Sequence, residues 1–156
     1  MASTKPTPIP AFYRIYFSTI DPLVLASAVF MDFVTPSFTV GAFIPTSVAP
    51  YNPYYDVLLQ QLGGALLFMA ILDVVLLRYT KDINIWKIVQ VGVLSYDLIL
   101  LGSIYYGLKQ QHRLSLHALR FEDWGDIIIT GQAAIVRSLF LLGVGLHQDT
   151  QGKKRA

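Results

Sequence analysis

The chain has 156 residues, of which 54% are hydrophobic and 14% charged, with a net charge of +2. Soluble domains carry roughly a quarter charged residues, and the deficit here is concentrated in four long apolar runs. The length allows one domain, the net charge is too small for nucleic-acid binding, and the absence of cysteine excludes disulfides, thiol catalysis and cysteine-held metals.

Residues 1–10 are polar and Pro-rich. They lack the basic region and cleavage site of a signal peptide, so the first span is expected to stay in the mature protein. A crossing needs about 20 mostly apolar residues. The first candidate runs from Phe12 to Val34 and contains Asp21-Pro22. Pro22 either kinks one continuous span, leaving the Ser18 carbonyl free, or opens a helix capped by Asp21; the kinked span is the expectation. Residues 35–54 carry four prolines and no charge at all. A connection of that kind either folds over the bundle as a lid or lies on the headgroups. Further spans are expected over Val57–Leu77, Ile85–Leu108 and Ile127–Leu146. The fold expected is an all-α integral membrane protein, an antiparallel four-helix bundle over residues 11–147. Residues 148–156 would be a polar, disordered cytosolic tail.

Lys5, Arg14, Arg78, Lys81, Lys87, Lys153, Lys154 and Arg155 would lie on one side, against Lys109, Arg113 and Arg120 on the other. The positive-inside rule then places both termini in the cytosol, with the endoplasmic reticulum as the expected membrane. Tyr13, Tyr16, Tyr54, Tyr55, Tyr79, Trp86, Tyr105, Tyr106 and Trp124 are expected to mark the interfaces.

Each span also carries a residue that is costly in hydrocarbon: Asp21, Asp73, Asp97 or Arg137. Each costs on the order of 3 kcal/mol near a helix centre and should face the bundle interior. At about 1.5 Å per residue, Asp21, Asp97 and Arg137 share the central slab, about 12–18 Å from their helix ends, and Asp73 sits lower, about 6 Å in. Helical spacing groups Arg14, Ser18, Asp21, Leu25 and Ala28 on the first span. It groups Gln90, Asp97 and Ile104, beside Tyr105, on the third, and Asp126, Thr130, Ala133 and Arg137 on the fourth. Gln60 and Gln61 lie near the outer end of the second span. The candidate catalytic residues are Asp97, Asp21 and Arg137; Gln60, Gln61, Ser18, Gln90, Thr130, Asp126 and Tyr96 are candidates for substrate binding in a polar pocket closed below by apolar side chains. If Arg137 neutralises one carboxylate, the other lacks a cation, and a neutral acid beside an ionised one is what general acid–base chemistry requires. The competing explanation is that these residues are hydrogen-bonded glue between helices.

Weaker signals need no special chemistry. His112, His117 and His147 have no metal-site spacing, and no metal is expected. Asp123-Trp124-Gly125-Asp126 reads as a helix cap with an interfacial Trp, or as a mouth of acids above the pocket. Gly63-Gly64 and Gly143-Val144-Gly145 suit close helix packing.

The pattern Phe12-Tyr13-Arg14, Ile20-Asp21-Pro22, Asp73, Trp86, Tyr96-Asp97, Asp123-Trp124-Gly125, Arg137 and Leu142-Gly143-Val144-Gly145 resembles a group of small four-span fungal membrane proteins of mostly unassigned function. In size and plan the chain is also similar to membrane-embedded hydrolases and cyclases of fungal polyketide and meroterpenoid pathways that open epoxides on polyene or terpenoid chains. A more distant likeness is to the four-span sterol-isomerase and sigma-2-receptor-like group. None of these likenesses fixes a catalytic residue.

Three functions are thus expected in competition. The first is epoxide opening by hydrolysis or cyclisation, with Asp97 as acid and Asp21 as base, or the reverse; it needs no cofactor. The second is a cofactor-free isomerase or terpene cyclase working by protonation, with Phe17, Phe30, Phe68 and Tyr96 steadying a cation. The third is a non-catalytic sterol- or lipid-binding or scaffolding protein. The expected partners are a lipophilic small molecule and membrane lipids, with self-association into a homo-oligomer left open.

Overall fold

Proline removes a donor from a helix, and a helix that continues through one must dispose of the carbonyl four residues back. The computed structural model, which describes residues 9–146, shows how this chain does so. Helix α1, Ala11–Val34, runs unbroken through Asp21-Pro22. A π-helical turn at Tyr16–Ile20 precedes the proline. The Ser18 carbonyl accepts a 2.7 Å hydrogen bond from Arg78 Nη2 on a neighbouring helix. His147, the 148–156 tail and the cations Lys5, Lys153, Lys154 and Arg155 lie outside the described residues.

The π turn corrects the expected stripe on this helix. It inserts one extra residue and shifts the helical phase by about 100°. Arg14 is therefore exposed and Ser18 only half-buried, while Tyr13, Tyr16 and Phe17 turn inward. Beyond the turn, Asp21, Leu25 and Ala28 keep the interior position.

Helix α2, Pro36–Phe43, is short and follows directly. Helix α3, Pro53–Tyr79, and helix α4, Ile83–Gln110, are the next two long apolar elements. A second π turn, Leu72–Leu76, carries Asp73 in α3 and packs against the π turn of α1. A single 3-10 turn, Leu116–Ala118, leads to helix α5, Phe121–Leu141. No strand occurs among the described residues.

Helices α1, α3 and α4 are long and apolar enough to cross a membrane, and only 28–33% of their most apolar windows is buried within the protein. Leu23, Phe30, Leu58, Phe68, Val75, Ile88 and Ile99 all point outward. Helices apolar all round have no reason to leave such a surface in water. The chain is an integral membrane protein.

Helix α5 starts and ends earlier than its expected span of Ile127–Leu146. The Asp123 carboxylate accepts the Arg120 backbone N–H at 2.6 Å, closing a capping box. At the other end, Val144 N–H reaches Leu139 O and Gly143 N–H reaches Phe140 O, a Schellman motif. Gly143 and Gly145 have φ of +82° and +75°, so this Gly-Val-Gly segment is a helix stop and not the packing surface expected of it.

Gly63 does serve close packing. A Cβ there would lie 2.7 Å from the Phe33 ring and 3.3 Å from Asp32 Cβ, whereas one at Gly64 would meet nothing. Gly63→Val is expected to lose about 1–3 kcal/mol by overpacking, read as a lower unfolding midpoint in detergent, with Gly64→Val as the near-neutral control.

The aromatic core lies below Asp21. Phe17 and Phe140 are fully buried, with ring centroids 5.3 Å apart. Tyr13 and Trp86 join them, Tyr13 at 5.0 Å from Phe140. Such ring pairs contribute about 0.5–1.5 kcal/mol each beyond area burial. Tyr13, Tyr16 and Trp86 are therefore core residues and not the interface markers expected. Tyr54, Tyr79, Tyr105, Tyr106 and Trp124 remain exposed.

Candidate functional site

Directly above this aromatic floor, Arg137 reaches across from α5 and is only 1% exposed. Its Nη2 pairs with Asp21 Oδ2 of α1, and its Nη1 donates to Asp97 Oδ2 of α4 at 2.5 Å. Its Nε donates to Gln90 Oε1 at 3.1 Å. The planar guanidinium fork suits this three-way demand better than an ammonium would. Each Asp gives one oxygen to Arg137, leaving its second free of that cation.

Asp73 joins the network. It is fully buried, and Gln90 Nε2 donates to its Oδ1 at 3.3 Å. Its Oδ2 has no hydrogen-bond partner. Its expected isolation at a lower level does not hold, because the long side chains of Arg137 and Gln90 bridge the two levels.

Asp21, Asp97 and Arg137 line one end of a cavity of about 220 Å³. Its walls include Leu25, Ala28, Leu62, Leu66, Thr130 and Ala133, with Tyr96 between the two ends. Phe38, Thr39, Ala42 and Phe43, from α2 and its end, close over it. Residues 36–43 therefore form a lid. One cation and one amide hold it: Arg120 donates to the Gly41 carbonyl at 2.9 Å and to the Ala42 carbonyl at 2.5 Å. Gln111 Nε2 donates to Phe43 O at 3.0 Å. These donors satisfy carbonyls that the helix end leaves open.

Asp123 steadies the latch by pairing with both Arg113 and Arg120. It precedes the apolar run that starts at Ile127. Burial works against its ionised form, but the Arg120 backbone N–H and side chain and the Arg113 charge outweigh it and hold the carboxyl below the usual carboxylate range. The latch stays charged in mildly acid conditions. Arg120→Ala is expected to raise amide exchange in 36–43 at least severalfold while the aromatic core stays protected; unchanged exchange would mean that the lid is held by its apolar contacts alone.

Several expected binding residues are elsewhere. Gln60 and Gln61 are exposed and do not line the cavity. Their helix turns them to the opposite side, because Gly63 and Leu66 take the inner face. Ser18 donates to the Arg14 carbonyl at 2.5 Å within its own helix. Gln90 is wholly buried and bonds only to Arg137 and Asp73, so it links the network without reaching the cavity. Thr130, Asp126 and Tyr96 do line it. Of the aromatics considered for steadying a cation, Phe17 lies in the core below, Phe30 and Phe68 face outward, and Tyr96 alone reaches the cavity.

Sequence reasoning missed Asp32. It is 3% exposed, lines the cavity end opposite Arg137, and its Oδ2 has no partner. The signal was available: Asp32 follows Asp21 by eleven residues, about three turns, and so shares its face. Thr39, whose Oγ1 is also unpartnered, gave no signal, since only the fold of the lid brings it there.

The family described as a domain of unknown function, DUF7704, matches residues 6–147. The chain belongs to this family. The match takes in every residue of the network, the cavity and the lid. No curated protein and no solved structure matches the chain.

Proposed function

We propose that this DUF7704 protein is an intramembrane enzyme that opens an epoxide on a lipophilic chain, by hydrolysis or by internal cyclisation. The observation that carries the reading is that two carboxyls from different helices line one cavity and are joined by a single guanidinium. Glue between helices needs only the bonds these groups make to one another; Asp21, Asp97 and Arg137 also line a cavity.

The chemistry follows from the charge balance. Two carboxyls, Asp21 and Asp97, share one cation, and a third, Asp73, is joined to it through Gln90, so the carboxyls outnumber the charge that can balance them. Asp97 gives a proton to the epoxide oxygen as the carbon–oxygen bond breaks. Asp21, ionised and held by Arg137, takes a proton from water, or from a hydroxyl of the substrate, as that oxygen bonds to the carbon. Return of the proton from Asp21 to Asp97, which share Arg137 and face the same cavity, restores the site. Water or an internal hydroxyl is thus added across the ring with no other reactant.

Cavity size favours a slender chain. About 220 Å³ is below the roughly 300–1,000 Å³ typical of sites for drug-sized ligands, which suits a polyene or linear terpenoid better than a sterol. The reading includes a fourth crossing by α5, giving an antiparallel bundle with both termini in the cytosol, in keeping with the excess of basic residues on that side, and the endoplasmic reticulum as its membrane. The activity proposed is the one suggested by the likeness in size and plan to epoxide-opening enzymes of natural-product pathways.

The test is turnover of a panel of long-chain polyene and terpenoid epoxides by the protein in lipid nanodiscs, with diol and cyclic ether products separated by mass. Isotopic oxygen from water in the product marks hydrolysis, and its absence marks cyclisation. No product from any epoxide, with the protein shown to be folded, would sink the reading.

A further inference from the structure

The cavity has a second polar end. Asp21 and Asp32 lie eleven residues apart on α1, and Asp126 and Arg137 lie eleven residues apart on α5. Both separations correspond to about 16 Å of helix. All four residues line the same cavity, with Asp21 and Arg137 paired at one end. Asp32 and Asp126 therefore stand at the other.

This far end is not satisfied by the protein itself. Asp32 is buried, and its Oδ2 has no donor. Thr39 Oγ1 on the lid lies near that carboxyl but makes no hydrogen bond of good geometry. A buried polar atom without a hydrogen bond costs about 1–3 kcal/mol, so an unmet carboxyl and an unmet hydroxyl facing one cavity call for a ligand group that both donates and accepts. A hydroxyl does both.

We infer that Asp32 and Thr39, with Asp126, form a recognition site for a hydroxyl carried by the substrate about 16 Å from the group that meets Asp21, Asp97 and Arg137. Together with the reading of the Arg137 end as the reaction centre, on which it rests, this defines the substrate class: a slender apolar chain with an epoxide at one end and a hydroxyl at the other. Thr39 belongs to the lid, so the hydroxyl also gives the lid a reason to close once the correct chain is in place. Asp32 is a positioning residue that fixes which carbon stands at the reaction centre.

The experiment measures binding of a long-chain α,ω-diol and of the mono-alcohol of the same length to the full chain in nanodiscs by titration calorimetry. The wild-type protein is expected to bind the diol at least tenfold more tightly, because a site built for a hydroxyl discriminates against a chain without one. Asp32→Leu should bring the diol's affinity down to that of the mono-alcohol. Equal wild-type affinities, or a diol preference that survives Asp32→Leu, would overturn the inference. Thr39→Val, which removes only a hydroxyl from the lid, is read the same way if Asp32→Leu does not fold, with at least a threefold loss of preference expected and an unchanged preference counting against the site. Epoxide turnover separates the two readings. A diol preference that depends on Asp32 in a protein that turns over no epoxide keeps this site and removes the reaction. Turnover that depends on Asp97 without any diol preference does the reverse.

Discussion

Asp97→Asn is expected to lower epoxide turnover by roughly 10²–10⁴-fold, the usual worth of a positioned acid or base. At about 1.36 kcal/mol per tenfold, the barrier rises by about 3–5 kcal/mol. The amide keeps the shape of the carboxyl and can still accept from Arg137 Nη1 through its oxygen, so the fold should survive. What it loses is the acidic proton that the epoxide oxygen needs as its bond breaks. Asp21→Asn should cost a similar factor, because an amide cannot take the proton from water. The two losses should not add, since acid and base act in one step. Single-turnover rates in nanodiscs, alongside the unfolding midpoint, give the measurement. A rate within about threefold of wild type for either variant, in a folded protein, would leave the carboxyls as glue between helices.

Arg137→Met should be the most destabilising single change in the chain. Arg137 is 1% exposed and is the cation that pairs with both Asp21 and Asp97. Removing it leaves buried carboxyls without compensation, which typically costs about 3–5 kcal/mol. That is a large part of the roughly 5–15 kcal/mol that keeps a domain folded. Arg137→Lys should fall between, since one ammonium cannot reproduce the fork that serves Asp21, Asp97 and Gln90 at once. The origin of the loss can be checked directly: Asp21→Asn and Asp97→Asn added to Arg137→Met should recover stability, as the burial of charge disappears with the carboxylates. Unfolding in detergent reads both effects. A midpoint for Arg137→Met close to wild type would show that the network contributes little to the fold.

The apolar runs and their lengths were enough to locate α1, α3 and α4, because a helix facing lipid must be apolar over a whole crossing and few other structures demand that. The cost of burying charge likewise singled out Asp21, Asp73, Asp97 and Arg137 before any fold was known. The pairing of Arg137 with both Asp21 and Asp97 goes further than charge counting, which allowed for only one partner. Asp32 was legible by the same helical spacing and was passed over, since it lies near a helix end where an acid ordinarily meets water.

Other features were beyond a periodic reading. Two π turns shift the phase of α1 and α3 by a residue each, so extrapolated stripes fail on one side of each turn. That is why Ser18 missed the cavity and Tyr16 and Phe17 entered the core. Gln60 and Gln61 carried no information about which way they face, because a helix apolar all round has no stripe to orient it. The lid could not be distinguished from a surface loop, since its attachment depends on Arg120 and Gln111, which are remote in sequence from the carbonyls they hold.

Apolar length and buried charge, both read residue by residue, suffice to put this protein in a membrane and to name the ionisable residues of its interior, because hydrocarbon penalises every polar group one residue at a time. That Asp21 and Asp97 meet at one guanidinium, that a short helix lies over the cavity, and that Asp32 makes a second polar end emerge from the packing of the helices. Those are relations between helices, fixed by packing and by hydrogen bonds between residues far apart in the chain, and no local pattern carries them.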